Sequence, residues 1–175
     1  PSLDSSAFLT LASSAKAGRQ SAALRAMGRI FFNMRSLSSV VSGAQRIKDA
    51  HVVVVGIGGV GSWSVEALAR SGVGHLTLID MDHIAESNIN RQIHAVETSL
   101  GQAKVLAMRD RIKSINPNCH VTCIEEFVSP TNWTSLLATD VSAVIDACDQ
   151  VNAKTSMAVW ARNTKKVFIS VGAAG

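Results

Sequence analysis

Apolar positions along this chain follow two alternating repeats, and the switches between them mark its elements. His51–Val55 is an unbroken β-branched run, as in a strand buried on both faces, and it ends in Gly56-Ile57-Gly58-Gly59-Val60-Gly61. Helix formers follow over Ser62–Ser71, closed by Gly72 and Gly74. Leu76–Ile79 predicts a second strand, ending at Asp80. Residues 81–98 are polar and irregular, with one short helical turn expected around Ile89–His94. Gln102–Ile115 reads as a helix with Leu106, Met108, Ile112 and Ile115 available to its inner face, stopped by Asn116-Pro117. Cys119–Ile124 alternates as a third strand, Thr131–Ala138 predicts a short helix, and Val141–Ile145 predicts a fourth strand leading to Asp146-Ala147-Cys148-Asp149. A helix over Asn152–Asn163 and a fifth strand over Lys166–Val171 complete the series. Strands alternating with helices predict an α/β fold: a Rossmann-like, doubly wound, mainly parallel sheet with helices on both faces.

Composition divides the chain in two. Of its 175 residues, 47% are hydrophobic and 17% charged, which excludes a disordered chain, and three Cys are too few for a disulfide scaffold. The net charge of +4 is uneven: residues 1–50 carry seven Lys/Arg against two acids, and residues 51–175 ten against eleven. The basic balance is therefore mostly a property of the first segment and is no evidence that the body binds nucleic acid. Residues 1–45 form a basic Ser/Ala/Arg-rich segment in which Leu24, Met27, Phe31 and Met34 fall at helical spacing. This segment reads as a helical arm packing on the domain or a partner, or as a transit-like peptide. Residues 46–175 form one Rossmann-like domain. Its last residues, Val171–Gly175, run into a Gly-rich loop, so we expect it to be truncated at its C-terminal end. With no apolar run near membrane length, the expected address is cytoplasmic, or an organelle if the first segment is a transit peptide.

Gly56, Gly58 and Gly61 fit G-x-G-x-x-G between a strand and a helix, the context in which that spacing carries chemistry. The first Gly permits the turn, the second lets backbone approach a phosphate, and the third lets helix and strand pack closely. The helix N-terminus offers N–H groups to an anion. Asp80 lies 19 residues past Gly61 at a strand end, where a carboxylate accepts hydrogen bonds from ribose hydroxyls. These features specify an adenosine nucleotide and leave NAD, FAD and ATP open.

Ser87-Asn88-Ile89-Asn90-Arg91-Gln92 follows in the crossover, and Lys104 opens the next helix. A triphosphate needs more neutralising charge than a diphosphate, and Arg91 and Lys104 supply it in a chain with no P-loop sequence. With strand order 3-2-1-4-5, Asp149 faces the crevice beside the first strand. A carboxylate beside phosphates calls for a bridging cation, which points to Mg²⁺ at Asp149.

These segments resemble the ThiF/MoeB family of adenylating proteins, relatives of ubiquitin-activating enzymes. The likeness rests on Val55–Asp82, Ser87–His94, Gly101–Lys104, Ile115-Asn116-Pro117 and Asp146–Asp149. Val55–Trp63, Leu78–Asp82, Asn90–Ala95 and Phe127–Pro130 are most similar to the subgroup of tRNA threonylcarbamoyladenosine dehydratases. The likeness covers about residues 51–175. It implies an ATP-dependent dehydratase (a cyclase) that adenylates the carboxylate of threonylcarbamoyladenosine in tRNA, acting as a homodimer. The resemblance implies phosphate contacts from Gly56, Gly58, Gly59 and Gly61, with ribose contact at Asp80 beside Asp82. It implies triphosphate contacts from Asn88, Asn90, Arg91 and Gln92, phosphate binding by Lys104 and Mg²⁺ at Asp149. Arg91, Lys104 and Asp149 would carry catalysis. Two departures stand out: Asn90, where sulfur-carrier activators more often have Gln, and Gln150, where they have Asn.

The alternatives are an adenylyltransferase for a ubiquitin-like sulfur carrier, an NAD(P)-dependent oxidoreductase and a silent nucleotide-binding module. Cys119 and Cys123 share a strand face without a C-x-x-C motif and read as buried thiols; Cys148 reads as packing. The five His show no H-x-x-x-H pair. Trp63 and Ile93 are candidate subunit contacts, while Trp133 and Trp160 are expected in the core or an interface. Arg109, Arg111, Lys113, Arg162, Lys165 and Lys166 could meet tRNA phosphates or form solvated helix faces.

Overall fold

The computed structural model describes residues 40–171, with side chains from residue 43. The amphipathic pattern at Leu24–Met34 and the final Gly-Ala-Ala-Gly lie outside the described residues.

Strand β1 (His51–Val55) is fully buried at the centre of a five-stranded parallel sheet. It pairs with β2 (His75–Ile79) on one side and β4 (Ala143–Asp146) on the other. Outside these lie β3 (His120–Ile124) and β5 (Val167–Ser170), giving the order β3-β2-β1-β4-β5. Alternate valines of β1 face opposite ways, and each set nucleates one layer. Val52 and Val54 pack with Val65 and Leu68 of α2 (Gly61–Arg70) and with Val105, Met108 and Ile112 of α3 (Lys104–Ile115). Ile47 of α1 (Val40–Lys48) rests on the same side. Val53 and Val55 pack instead with Ala153 and Met157 of α4 (Val151–Thr164) and with Trp133. The fold is thus the Rossmann-like α/β arrangement, with helices on both faces.

Four local expectations are corrected. Thr131–Ala138 is a 3₁₀ turn at Trp133–Leu136. Asn132 explains the change: its Oδ1 accepts the Ser129 N–H at 2.7 Å and its Nδ2 donates to the Phe127 carbonyl. Such local bonds compete with a helix ladder. In the crossover the helical turn falls earlier, at Glu86–Asn88, where Asn88 Oδ1 accepts the Ala85 N–H; a second turn spans Glu97–Ser99. Helix α3 begins at Lys104 because residues 102–104 first bridge to residues 82–84, with the Ile84 N–H on the Gln102 carbonyl and the Lys104 N–H on that of Asp82. Its inner face is led by Val105, Met108 and Ile112, with Leu106 and Ile115 only partly buried.

Candidate nucleotide site

Between β1 and β4 the chain turns to opposite sides of the sheet, which opens a crevice at the strands' C-terminal ends. Gly56 makes the first turn at φ +83°, and a Cβ there would lie 2.9 Å from the backbone of Ala147 and Cys148. A Cβ on Gly61 would lie 1.7 Å from the Gly56 carbonyl oxygen, so the loop closes on itself only with Gly at both positions. The Asp80 carboxylate fixes the loop to β2: Oδ2 accepts the Ile57 N–H at 2.6 Å and Oδ1 the Asp82 N–H at 2.8 Å. No side chain caps α2; its first turn is tied to the loop instead, with the Ser62 N–H on the Gly58 carbonyl at 3.0 Å.

The resulting cavity measures about 410 Å³, within the range of small-molecule sites. It is lined by Gly56, Gly58, Gly59, Asp80, Asp82, Asn88, Arg91, Gln92, Lys104 and Asp149, ten of the residues singled out in the sequence. Gly61 and Asn90 stand off it. Gly61 lies beneath the loop as a packing residue, and Asn90 is exposed, its Oδ1 accepting a bond from Arg91 at 3.0 Å. The walls also include Met81, Glu126, Phe127, Val128 and Gln150, to which the sequence reading gave no role. Strand order would have found residues 126–128, because whatever follows β3 must emerge on this edge.

Two cations and several acids share the cavity. Lys104 is buried and its Nζ sits 2.7 Å from Asp82 Oδ2, while Arg91 is exposed and curls back onto the Ser87 carbonyl at 2.6 Å. The Trp63 indole N–H donates to the Arg91 carbonyl at 3.1 Å, and Ile93 packs partly against the core. The chain itself therefore engages the two proposed subunit contacts. Asp149 is exposed on the cavity wall and, among the described residues, makes no hydrogen bond or ion pair.

Behind Asp149, Asp146 is wholly buried and its carboxylate joins three elements. It receives Lys154 Nζ at 2.8 Å, Ser170 Oγ at 2.7 Å and the Cys148 N–H at 3.2 Å. Lys154 reaches on to the Val171 carbonyl. Burial, reinforced by the thiol's hydrogen bond to Asp146, pushes Cys148 up to about 11, so it is a neutral packing group. Next to the cavity, Gln92 Oε1 and both ring nitrogens of buried His94 lack partners among the described residues. Burial, then the charges of Lys104 and Arg111, lowers His94 to about 4.

The ThiF family profile matches residues 33–175. A tRNA threonylcarbamoyladenosine dehydratase of Escherichia coli is 48% identical over 131 residues, 75% of this chain and 49% of that protein. Its namesake in Haemophilus influenzae is 49% identical over 130 residues, 74% of this chain and 50% of that protein. The solved structure of the E. coli enzyme in complex with ATP has a TM-score of 0.74 at 45% identity, covering 83% of this chain and 59% of that one. The chain spans about half the length of the curated relatives it matches. Because the profile match extends over most of the chain, and the matching motifs converge on one cavity, this chain belongs to the ThiF family.

Proposed function

We propose that this chain is the nucleotide-binding part of an ATP-dependent dehydratase acting on threonylcarbamoyladenosine in tRNA. The observation that carries the reading is the crevice itself. A glycine loop, an anchored strand-end acid, Arg91 and Lys104 meet in one cavity of nucleotide size. The named relatives supply the substrate.

In this reading the backbone of Gly58 and Gly59 approaches the phosphates, and Asp80, already oriented by two amides, accepts from ribose hydroxyls. Asn88, Arg91 and Gln92, which line the cavity, serve the triphosphate, and Asn90 orients Arg91 through its Oδ1. Arg91 must uncurl from Ser87 to do so, and Lys104 must share its charge between Asp82 and phosphate. Asp149 fits a hard cation: it is an exposed carboxylate whose oxygens are not otherwise engaged among the described residues. Bound there, Mg²⁺ would neutralise phosphate charge. The substrate carboxylate, ionised at pH 7, attacks the α-phosphorus; the α–β bridging bond breaks and pyrophosphate leaves. Intramolecular attack on the acyl-adenylate then expels AMP, and the carboxylate oxygen departs with it, a net loss of water. Alignment and charge stabilisation do this work, with no strong base required. The same reading makes the protein a homodimer seated on the crossover, where Met81, Ile89, Val96 and Leu100 are exposed.

The test is pyrophosphate exchange into ATP by the full-length protein. Exchange that depends on tRNA carrying threonylcarbamoyladenosine supports the reading. Exchange that depends on a sulfur-carrier C-terminus overturns it in favour of that substrate, and no exchange overturns both. A full-length protein that sediments as a monomer at micromolar concentration contradicts the dimer.

A further inference from the structure

The opposite, N-terminal end of the sheet holds a cluster that the nucleotide chemistry does not use. Strands β1, β2 and β3 each begin with His, and the pairing register sets His51 beside His75 and His75 beside His120. The His51 and His75 rings stack with centroids 3.5 Å apart and planes 9° apart, while His120 meets His75 edge-on at 4.5 Å. Asp140, in the loop before β4, faces both stacked rings. Its Oδ1 lies 2.9 Å from His51 Nδ1 and its Oδ2 4.0 Å from His75 Nδ1. The three donors fall within 4.8 Å of one another.

We propose that His51 Nδ1, His75 Nδ1 and the Asp140 carboxylate bind one divalent transition-metal ion of the zinc class. Three observations converge on it. Donors bound to tetrahedral zinc at about 2.0–2.1 Å stand about 3.3 Å apart, and the contacts at 2.9 and 4.0 Å bracket that separation. Each imidazole also has its far nitrogen on an oxygen: His51 Nε2 lies 2.8 Å from Thr77 Oγ1 and His75 Nε2 3.2 Å from Thr122 Oγ1. Metal-binding His residues are held this way, the second N–H donating outward and fixing ring and tautomer. Finally, two imidazoles and one carboxylate suit zinc far better than Mg²⁺, which prefers an all-oxygen shell.

Binding requires one movement. Stacked rings point their nitrogen lone pairs in parallel, so one ring must tilt toward the ion. His51 is 1% exposed and held by Thr77, whereas His75 is half-buried, so His75 tilts and the stack opens. Asp140 is 65% exposed and free to follow. The ion ties the first residues of β1 and β2 to the loop before β4, at the far end of the sheet from the nucleotide cavity.

Calorimetric titration of zinc into the chelator-stripped, full-length protein tests this, with magnesium as the comparison ion. The wild type and Asp149→Ala should bind one more zinc per chain than His75→Ala and Asp140→Asn. Loss of one outer hydrogen-bond partner costs roughly 10–100-fold in metal affinity, so loss of a ligand should cost at least about 100-fold. Zinc should raise the melting temperature only in the proteins that keep the cluster. If His75→Ala does not fold, the exposed Asp140→Asn decides alone. Equal zinc stoichiometry and affinity in all four proteins would overturn the site, as would loss of zinc binding in Asp149→Ala alone.

Discussion

The two ends of this sheet solve the same problem differently. At the C-terminal end, the acid at the end of β2, Asp80, is held by backbone amides alone, those of Ile57 and Asp82, while Asp82 and Asp146 beside it pair with Lys104 and Lys154. At the N-terminal end, polar groups meet side chain to side chain: His51 with Asp140 and Thr77, and His75 with Thr122. A carboxylate fixed by backbone keeps its other lone pairs for a ligand and needs none to hold its place. A group fixed by another side chain spends its capacity on that partner, and a ligand must re-sort the pair. Topology sets the difference, because only the C-terminal end has the divergence of crossovers that opens a crevice.

The largest effect should come from Asp149. It is exposed and makes no hydrogen bond or ion pair among the described residues, so Asp149→Ala should leave the melting temperature nearly unchanged. Pyrophosphate exchange by the full-length protein should fall on the order of 100-fold or more, as when one preorganised charge stabiliser is removed. ATP affinity should fall less, since Asp80, Arg91 and Lys104 remain on the cavity. Near wild-type exchange with unchanged Mg²⁺ dependence would remove Asp149 from the site.

A matched pair of glycines tests whether the two ends are separable. A Cβ on Gly61 would sit 1.7 Å from the Gly56 carbonyl oxygen; a Cβ on Gly74 would sit 1.8 Å from the Lys48 carbonyl oxygen. Both obstacles are backbone, which cannot rotate away. Gly61→Ala and Gly74→Ala should therefore each cost about 2–3 kcal/mol in denaturant unfolding, the upper part of the overpacking range. Only Gly61→Ala should also weaken ATP binding, because only it displaces the phosphate loop. Equal loss of binding in both would mean that the ends are coupled.

Why was one end legible in the sequence and the other not? The nucleotide end is written in local order. Gly56, Gly58 and Gly61 fall within six residues, and a strand, a turn and a helix around them give the spacing its meaning. The unbroken run of valines located β1, and the alternation of strands with helices located the sheet. The histidines are written in register instead. His51, His75 and His120 stand 24 and 45 residues apart, and they align only because three strands start in phase. Shifting a strand by one residue would turn its His to the other face. Phe127 escaped for a related reason: it belongs to the cavity through the placement of β3, not through its neighbours in sequence.

Acid should strain the crossover beside the cavity. Buried His94, at about 4, resists the proton that an unfolded His accepts near 6.5, so the unfolded chain binds more protons between those values. Stability should be fully present above about pH 6.5, fall as the pH drops, and level off below about 4, with a loss on the order of 3 kcal/mol. His94→Leu should flatten this slope. His75 is also lowered, by burial and then by His51 and His120, while Asp140 opposes the shift, so its slope has the same sign. Melting curves from pH 4 to 7 for the two His variants would apportion the acid sensitivity between the two ends. An unchanged slope in His94→Leu would remove His94 as a source.

The smallest effect should be a gain, at the N-terminal end. Lys165 closes α4 in the left-handed region, at φ 56° and ψ 30°, and is the one described non-glycine residue with positive φ. Its amide still bonds the Ala161 carbonyl, so the cap is formed at the expense of backbone strain. Lys165→Gly removes that strain but adds freedom to the unfolded chain and removes a favourable charge at a helix C-terminus. The terms oppose, and the net should be about 0.5 kcal/mol of added stability, since Arg162 and Lys166 still place charge beside the last turn. Lys165→Ala isolates the backbone part: it loses the same charge and keeps the strain, so it should be slightly less stable than wild type. Because β5 starts only two residues on, at the sheet end away from the cavity, neither change should alter ATP binding or exchange. A gain in Lys165→Ala as large as in Lys165→Gly would show that charge, and not the left-handed backbone, sets the cost of this cap.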